Sequence, residues 1–326
     1  MKTSSEIPEI SALPSQRYAL SGDTMGTRYS AVFFAASGLD ESAIGAGLFV
    51  AVDKVDRQMS TWKPDSDLNR LNAAALEQWI TVPEELISVL ASALRIGQQS
   101  DGAFDIGVGA VVNAWGFGPG KRQPDLHQIS APKERTYRPA SDVLDIDHAH
   151  QRVRKRAAIT LDLSGIAKGY GVDEMAHCLD GFGITSYLVG IDGEMRARGV
   201  KPDGRPWAIA IEKPVREVRE AMGVMELTDA AIATSGDYRH WVELAGKHYA
   251  HTMDPSNGRP VCNRLAAVTV VMSSCMDADA WATALLVLGE TAGVELAQKQ
   301  GMDALFVLHD GEGFEEISIL GGQREL

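Results

Sequence analysis

Cysteine is scarce in this chain. Three are present among 326 residues, Cys178, Cys262 and Cys275, and no two stand in CxxC spacing. That excludes a disulfide framework and a zinc knuckle as sources of stability. Basic charge is also in deficit: 31 Lys and Arg stand against 44 Asp and Glu, a formal net charge of -13. A nucleic-acid partner is not expected, because a phosphate backbone requires a basic face. The one basic run, Arg152-Val153-Arg154-Lys155-Arg156, alternates as a solvated strand or hairpin edge does. No apolar run approaches the ~20 residues of a membrane span, so none is expected. The first residues carry neither an apolar export core nor a lipobox-like cysteine. As written, the sequence is expected in the cytoplasm, whereas prior removal of a leader would allow the periplasm. Common catalytic signatures are missing too. Gly107-Val108-Gly109 runs into Ala110 without completing GxGxxG, and GxxxxGK[ST], HExxH and GxSxG do not occur.

What is present is a globular composition, 45% hydrophobic and 23% charged, long enough for one large domain or two tightly joined lobes. Residues 1–16, rich in Ser, Pro and Glu, read as a loose arm, and 17–326 as one domain. Arg17–Leu20 and Tyr29–Phe34 read as strands around a glycine turn. Ile44, Leu48, Val52 and Val55 share a helical face over 41–59, and Pro83 opens a second helix that ends near Asp101-Gly102. A surface excursion is predicted from Gly116 to about Arg138. Val143–Ile146 and Ala158–Leu163 form a predicted hairpin, followed by a helix over 166–179. Short strands follow, then a β-branched run at Leu265–Met272, helices over 277–288 and 291–300, and closing strands at Ala304–Leu308 and Phe314–Ile319. Strands grouped together and helices in pairs predict an α+β fold rather than a βαβ alternation.

Six local clusters carry possible chemistry. Asp279 and Thr283 lie four residues apart on one helical face, among Ala280, Ala282 and Ala284. A carboxylate and a hydroxyl at an uncrowded surface suit a hard cation such as Mg²⁺, although an Asp near a helix start also complements the helix dipole. Met25, in Thr24-Met25-Gly26-Thr27, can lie on a flat ring or simply pack in its hairpin. Trp62, in Met59-Ser60-Thr61-Trp62, can stack on a ligand or cap the core. In Gly102–Gly107, small residues admit a ligand to the backbone and Asp105 can accept a hydrogen bond; a plain turn is the alternative. In Leu161–Gly171, Asp162 enters a turn before a helix whose amides, with Lys168, can hold an anionic phosphate. The plain reading is a helix capped by Ser164. In His251–Pro260, a strand runs into an Asp-Pro turn, and His251 is a candidate general base or a structural His. His248 and His251 fall on opposite strand faces, against a His₂ metal site.

Taken together and in order, these clusters resemble the ApbE family, the FAD:protein FMN transferases. The resemblance runs from about Thr24 to Leu308. It rests on Met25-Gly26-Thr27, Met59-Ser60-Thr61-Trp62, Gly102–Gly118, Asp162–Gly171, His251–Gly258 and Asp279–Thr283.

The resemblance implies two tightly joined lobes of mixed or antiparallel sheet with helices, and a groove between them for FAD. Met25 and Trp62, the latter where the family usually has Tyr, would flank the flavin. Ala103, Phe104 and Asp105 would line the groove, Asp162 and Lys168 would contact the ligand, and the backbone at 251–253, including Met253, would contact it from the strand. Mg²⁺ would be held by Asp279, Thr283 and the carbonyls of Gly165 and Ala282. The implied activity is that of a transferase: a Thr or Ser hydroxyl on an acceptor flavoprotein, such as an electron-transport subunit, attacks the FMN-side phosphorus and AMP leaves. His251 is the implied base, ahead of Asp254 or Asp279. Two other readings stay open: a Mg²⁺-dependent FAD pyrophosphatase giving FMN and AMP, and a non-catalytic FAD-binding protein. One departure is Ile191-Asp192-Gly193-Glu194, where family members often read Gly-Gly-Asp.

Overall fold

A computed structural model describes residues 15–120, 123–130, 138–215, 220–239, 241–311 and 313–325. Most of the arm expected at 1–16 and part of the excursion before Arg138 lie outside these residues. Ser15 and Gln16, expected in the arm, already belong to the first strand.

β1 (Ser15–Thr24) and β2 (Thr27–Ala36) pair antiparallel. Met25 and Gly26 join them with φ of 47° and 73°, the left-handed pair whose twist matches a tight hairpin. In α1 (Glu41–Met59), Asp40 caps the start by accepting the Ala43 N–H, and Ile44, Leu48, Val52 and Val55 are buried, as their spacing predicts. α2 (Asp67–Ala73), β3 (Trp79–Thr81) and α3 (Glu84–Gln99) follow, with Pro83 as the cap of α3. Three short helices come next: α4 (Gly109–Ala114), α5 (Leu126–Ser130) and α6 (Ala140–Val143).

The next hairpin departs from the prediction. β4 (Leu144–Asp147) pairs with β5 (Arg152–Lys155), not with 158–163. The segment at 158–163 is gripped elsewhere. The Asn72 side chain accepts the Leu161 N–H at 2.7 Å and donates to the Leu161 carbonyl at 3.0 Å, while Leu161 and Leu163 are buried. One side-chain amide thus satisfies the two backbone groups that a neighbouring strand would otherwise pair. The basic run is likewise not an edge. β5 is the central strand of β3-β5-β4, Arg154 pairs with Asp145, and the buried Lys155 donates to the Asn72 carbonyl.

The rest of the chain contributes α7 (Ala167–Gly181), β6 (Ser186–Ile191), β7 (Glu194–Arg198), β8 (Trp207–Glu212), β9 (Ala221–Leu227) and β10 (Ala231–Gly236). Then come β11 (Trp241–Leu244), β12 (Lys247–Ala250), β13 (Met253–Asp254), β14 (Arg259–Pro260) and β15 (Leu265–Met272). α8 (Cys275–Lys299), β16 (Asp303–Asp310), β17 (Gly313–Leu320) and β18 (Gln323–Arg324) close it. Nine strands form one antiparallel sheet in the order β1-β2-β6-β7-β10-β15-β16-β17-β18. The fold is α+β, as predicted.

Both faces of this sheet are covered. Tyr187, Val189 and Ile191 of β6 face α1 and α7, while Leu188 packs with Trp207, Ile209 and Leu227 of the β8–β9 ribbon. That alternation explains why β15 reads as a continuous apolar run: each of its faces meets core. Two large cores, one around α2, α3 and α8 and one around α1 and α7, meet at α7, with Ala167 in the first and Val172 in the second.

α8 is interrupted at Gly289, where φ is 80° and ψ is -178°. The break separates the two helices expected there. By length and composition alone α8 could cross a membrane, which corrects the expectation of no such stretch. Its apolar content is used as core: Ala280, Ala282, Ala284 and Leu285 are wholly buried.

Candidate active site

The site is organised where α7 crosses α8. α8 begins two residues earlier than predicted, with Ser274 as its cap and Asp277 in its first turn. Asp277 carries the dipole-complementing role and pairs with Arg95 at 2.7 Å. Asp279 lies in the second turn, buried, and serves a different purpose.

Two contacts fix the crossing. Asp173 of α7 accepts the N–H groups of Cys275 and Met276, both at 3.0 Å, and pairs with Arg196 at 2.6 Å. It satisfies amides that a helix start leaves without partners. Gly169 then lets the helices touch. A Cβ there would stand 2.3 Å from the Cys275 carbonyl oxygen and 2.8 Å from the Asp279 Cβ. With that atom missing, the Gly169 N–H donates to Asp279 Oδ2 at 3.0 Å. Neither Asp173 nor Gly169 was singled out from the sequence, because their partners lie about a hundred residues away.

The predicted metal set comes together at this crossing. A Cβ on Gly165 would lie 3.2 Å from Thr283 Oγ1. The Thr283 hydroxyl shares a 2.9 Å hydrogen bond with Ser235 of β10, a residue with no local signal in the sequence. Ala282 is buried in the same helical turn. Beside Asp279, Glu194 of β7 is 3% exposed, and its Oε2 takes no hydrogen bond among the described residues. Burial first and then the Glu194 carboxylate push the Asp279 carboxyl up to about 7, against the opposing pull of Lys168 and the Gly169 N–H. The buried Asp279 carboxylate, the Thr283 hydroxyl one helical turn on and the Gly165 backbone beside that hydroxyl form an oxygen donor set suited to a hard divalent cation. The residues therefore fit Mg²⁺. No trio of His, Cys, Asp or Glu converges among the described residues. The oxygen donors are instead mixed in type, which is why the pattern is faint.

Lys168, one residue before Gly169, donates to Glu194 Oε1 at 2.7 Å and stands 3.9 Å from Asp192. Burial pulls its ammonium down, but Glu194, Asp279 and Asp192 outweigh that and hold it above the usual lysine range. The helix N-cap here is Ile166, without a side-chain bond, and not Ser164 as the plain reading had it. Ser164 instead gives its N–H to Asp162 Oδ1 at 2.8 Å, an Asx turn that consumes part of the Asp162 carboxylate.

The remaining predicted residues surround this centre unevenly. Met25 reaches α7: a Cβ on Gly171 would lie 3.2 Å from its Cε. Trp62 is 51% exposed on a braced loop, where the Asn69 side chain donates to the Thr61 and Lys63 carbonyls at 2.9 Å each. Ala103 and Phe104 are buried, and a Cβ on Gly165 would lie 3.3 Å from Phe104 Cε2. Asp105 is buried and accepts the N–H groups of Gly107 and Ala140, so its described bonds hold the loop. His251 lies just past β12, its ring edge-on to Phe117 at 6.3 Å between centroids. Met253 is buried, and Asp254 is committed to its own turn through Ser256 and Asn257.

Comparison with known proteins gives this geometry its context. The model of the ApbE family matches residues 25–306. The FAD:protein FMN transferase of Vibrio cholerae is 38% identical over 310 residues, covering 94% of this chain and 91% of the relative. The Salmonella typhimurium protein of the same name is 36% identical, covering 95% and 89%. Among solved structures, the flavin transferase ApbE of Vibrio cholerae superposes with a TM-score of 0.83 at 38% identity, covering 94% of this chain and 97% of that one. The apo flavinyl transferase ApbE of Pseudomonas stutzeri gives 0.83 at 37% identity, covering 95% and 98%. The α7–α8 crossing thus sits inside a fold shared along nearly its whole length with flavin transferases, and the chain belongs to the ApbE family.

Proposed function

We propose that the protein is an FAD:protein FMN transferase that moves FMN from FAD to a Thr or Ser hydroxyl of an acceptor flavoprotein, with Mg²⁺ as the required ion. The observation that carries this reading is the convergence of Asp279, Thr283, Gly165 and Lys168 at one helix crossing. The name that its relatives carry, FAD:protein FMN transferase, supports it.

In this reading Lys168 binds the pyrophosphate as a permanently charged ammonium. Asp279 and Thr283, with the carbonyls of Gly165 and Ala282, would hold the Mg²⁺. When bound, the ion offsets pyrophosphate charge and eases departure of the AMP phosphate. Met25 and Trp62 flank the flavin, Ala103, Phe104 and Asp105 shape the groove, and Met253 and Asp162 border the ligand. His251 takes the proton of the acceptor hydroxyl as its oxygen bonds the FMN-side phosphorus. The bond from that phosphorus to the bridging oxygen breaks, and AMP leaves with the oxygen. The product is a phosphoester between FMN and the acceptor side chain.

The test is to incubate the protein with FAD, Mg²⁺ and a flavin-accepting domain, and to measure the intact mass of the acceptor. A covalent adduct of FMN mass is expected. Free FMN and AMP without any adduct, across several genuine acceptors, would assign the protein as a pyrophosphatase. Bound FAD with no AMP released would leave a binding protein only.

A further inference from the structure

Lys168 is surrounded by carboxylates of different reach. Its ammonium has three N–H donors. One is given to Glu194 Oε1 at 2.7 Å, while Asp192 Oδ2, at 3.9 Å, is beyond hydrogen-bond distance. Asp192 is itself held: it sits in the β6–β7 turn with φ of 55° and accepts from Arg239 at 2.8 Å. Arg239 in turn pairs with Glu212. Glu194 is the opposite kind of residue. It follows that same turn, is almost wholly buried, and leaves its Oε2 without a donor among the described residues.

A buried carboxylate with one oxygen unsatisfied is a poor device for stability. Desolvation of the pair opposes its attraction, and the empty oxygen is a cost that a glutamine or an apolar side chain would lessen. Such unsatisfied groups persist where they serve a site. What Glu194 does is fix the direction of the Lys168 head. With one N–H held by Glu194 on β7, two donors remain for other acceptors. Without Glu194 the nearest anion is Asp192, about an ångström farther, and the flexible lysine stem would let the head swing toward it.

We propose that Glu194 is a positioning residue for Lys168: it holds the ammonium off Asp192 so that its two remaining donors meet the anionic phosphates of the ligand in the groove. This rests on the FMN-transferase reading for the identity of that ligand, and it acts through Lys168 rather than through the metal ion.

A double-mutant cycle tests it. Glu194→Gln in the intact protein is expected to lower kcat/KM for FAD by roughly 10–100-fold, as loss of a supporting contact does. In a Lys168→Met background the same change should cost no more than about 2-fold, since its target is gone. The Mg²⁺ concentration for half-maximal activity should stay where it is in the wild type. An equal loss in both backgrounds overturns the proposal and makes Glu194 a plain structural residue. A Glu194→Gln change that shifts the Mg²⁺ half-saturation by an order of magnitude also overturns it, because Glu194 then acts on the ion. If the glutamine variant does not fold, Glu194→Met removes the charge at similar volume and is read in the same cycle. The cycle is measured in parallel on FAD affinity by flavin fluorescence. A wild type that binds FAD without transferring FMN sinks the transferase reading but still tests Glu194, whereas a wild type that does not bind FAD sinks both.

Discussion

The carboxylate side of the site and its histidine side are built in opposite ways. At the α7–α8 crossing, Gly169 meets Asp279 and Asp173 meets Cys275, contacts that span about a hundred residues and are closed off from water. Around His251, the bonds are local. Asp254 binds Ser256 and Asn257 in its own turn, and the Gly258 N–H returns to the Asp254 carbonyl at 2.8 Å. The β11–β12 hairpin pairs only within itself among the described strands and carries Tyr249 against Trp115 and Trp241 against His248. The groups proposed to bind the ion and diphosphate are placed by helix packing. The histidine proposed to meet an incoming protein hydroxyl stands before a locally bonded turn, with Phe117 against its ring. The difference teaches that the two roles make different demands: fixed electrostatics on one side, access on the other.

Mutations at the two sides should separate accordingly. The largest effect is expected from Asp279→Ala, with transfer falling by at least about 10²-fold and the Mg²⁺ dependence flattened. An unchanged Mg²⁺ titration would remove Asp279 from the ion's ligands. His251→Ala should slow transfer by ~10²–10⁴-fold while leaving FAD affinity as it was. Single-turnover rates beside flavin binding curves read the two apart, and a lost affinity with an intact rate would erase the contrast between the two sides. Asp173→Ala should cost about 2–4 kcal/mol of stability, below the full penalty of a broken buried pair because Arg196 is 25% exposed. Urea unfolding measures it, and a loss within experimental error would mean the crossing does not depend on that cap.

A pH effect is the subtlest. The Asp279 carboxyl, raised from 3.8 to about 7 by burial and by Glu194, keeps its proton in the folded chain over a range where the unfolded chain has released it. Folded protein therefore binds the extra proton, and its stability in the absence of metal should decline as pH rises from 3.8 to about 7. Asp279→Asn should flatten that slope. Urea midpoints in a chelator at about pH 5 and about pH 8 give the comparison, and parallel slopes in both proteins would refute the origin in Asp279.

Local chemistry made much of this readable in advance. The periodic face of α1, the Met25-Gly26 turn, the β15 run and the Asp-Pro turn after His251 are set by residues within a few positions of one another. The α8 break at Gly289 was visible as two helices for the same reason. The failures are all long-range. Asn72 takes the place of a strand beside Leu161, so the expected hairpin with 158–163 never forms. The basic run becomes a central strand because β3, over 70 residues earlier, pairs with it.

By itself, then, the sequence determined the elements, their amphipathic faces, the turns and the family pattern, since each depends on dihedral preference and spacing along the chain. Only the tertiary structure decided that Asp279 would lose its solvent, that Gly169 would admit α8, and that Glu194 would stand against Lys168 with one oxygen to spare. Burial and proximity raise the strength of every charge at that crossing, and neither is a property of any single stretch of chain.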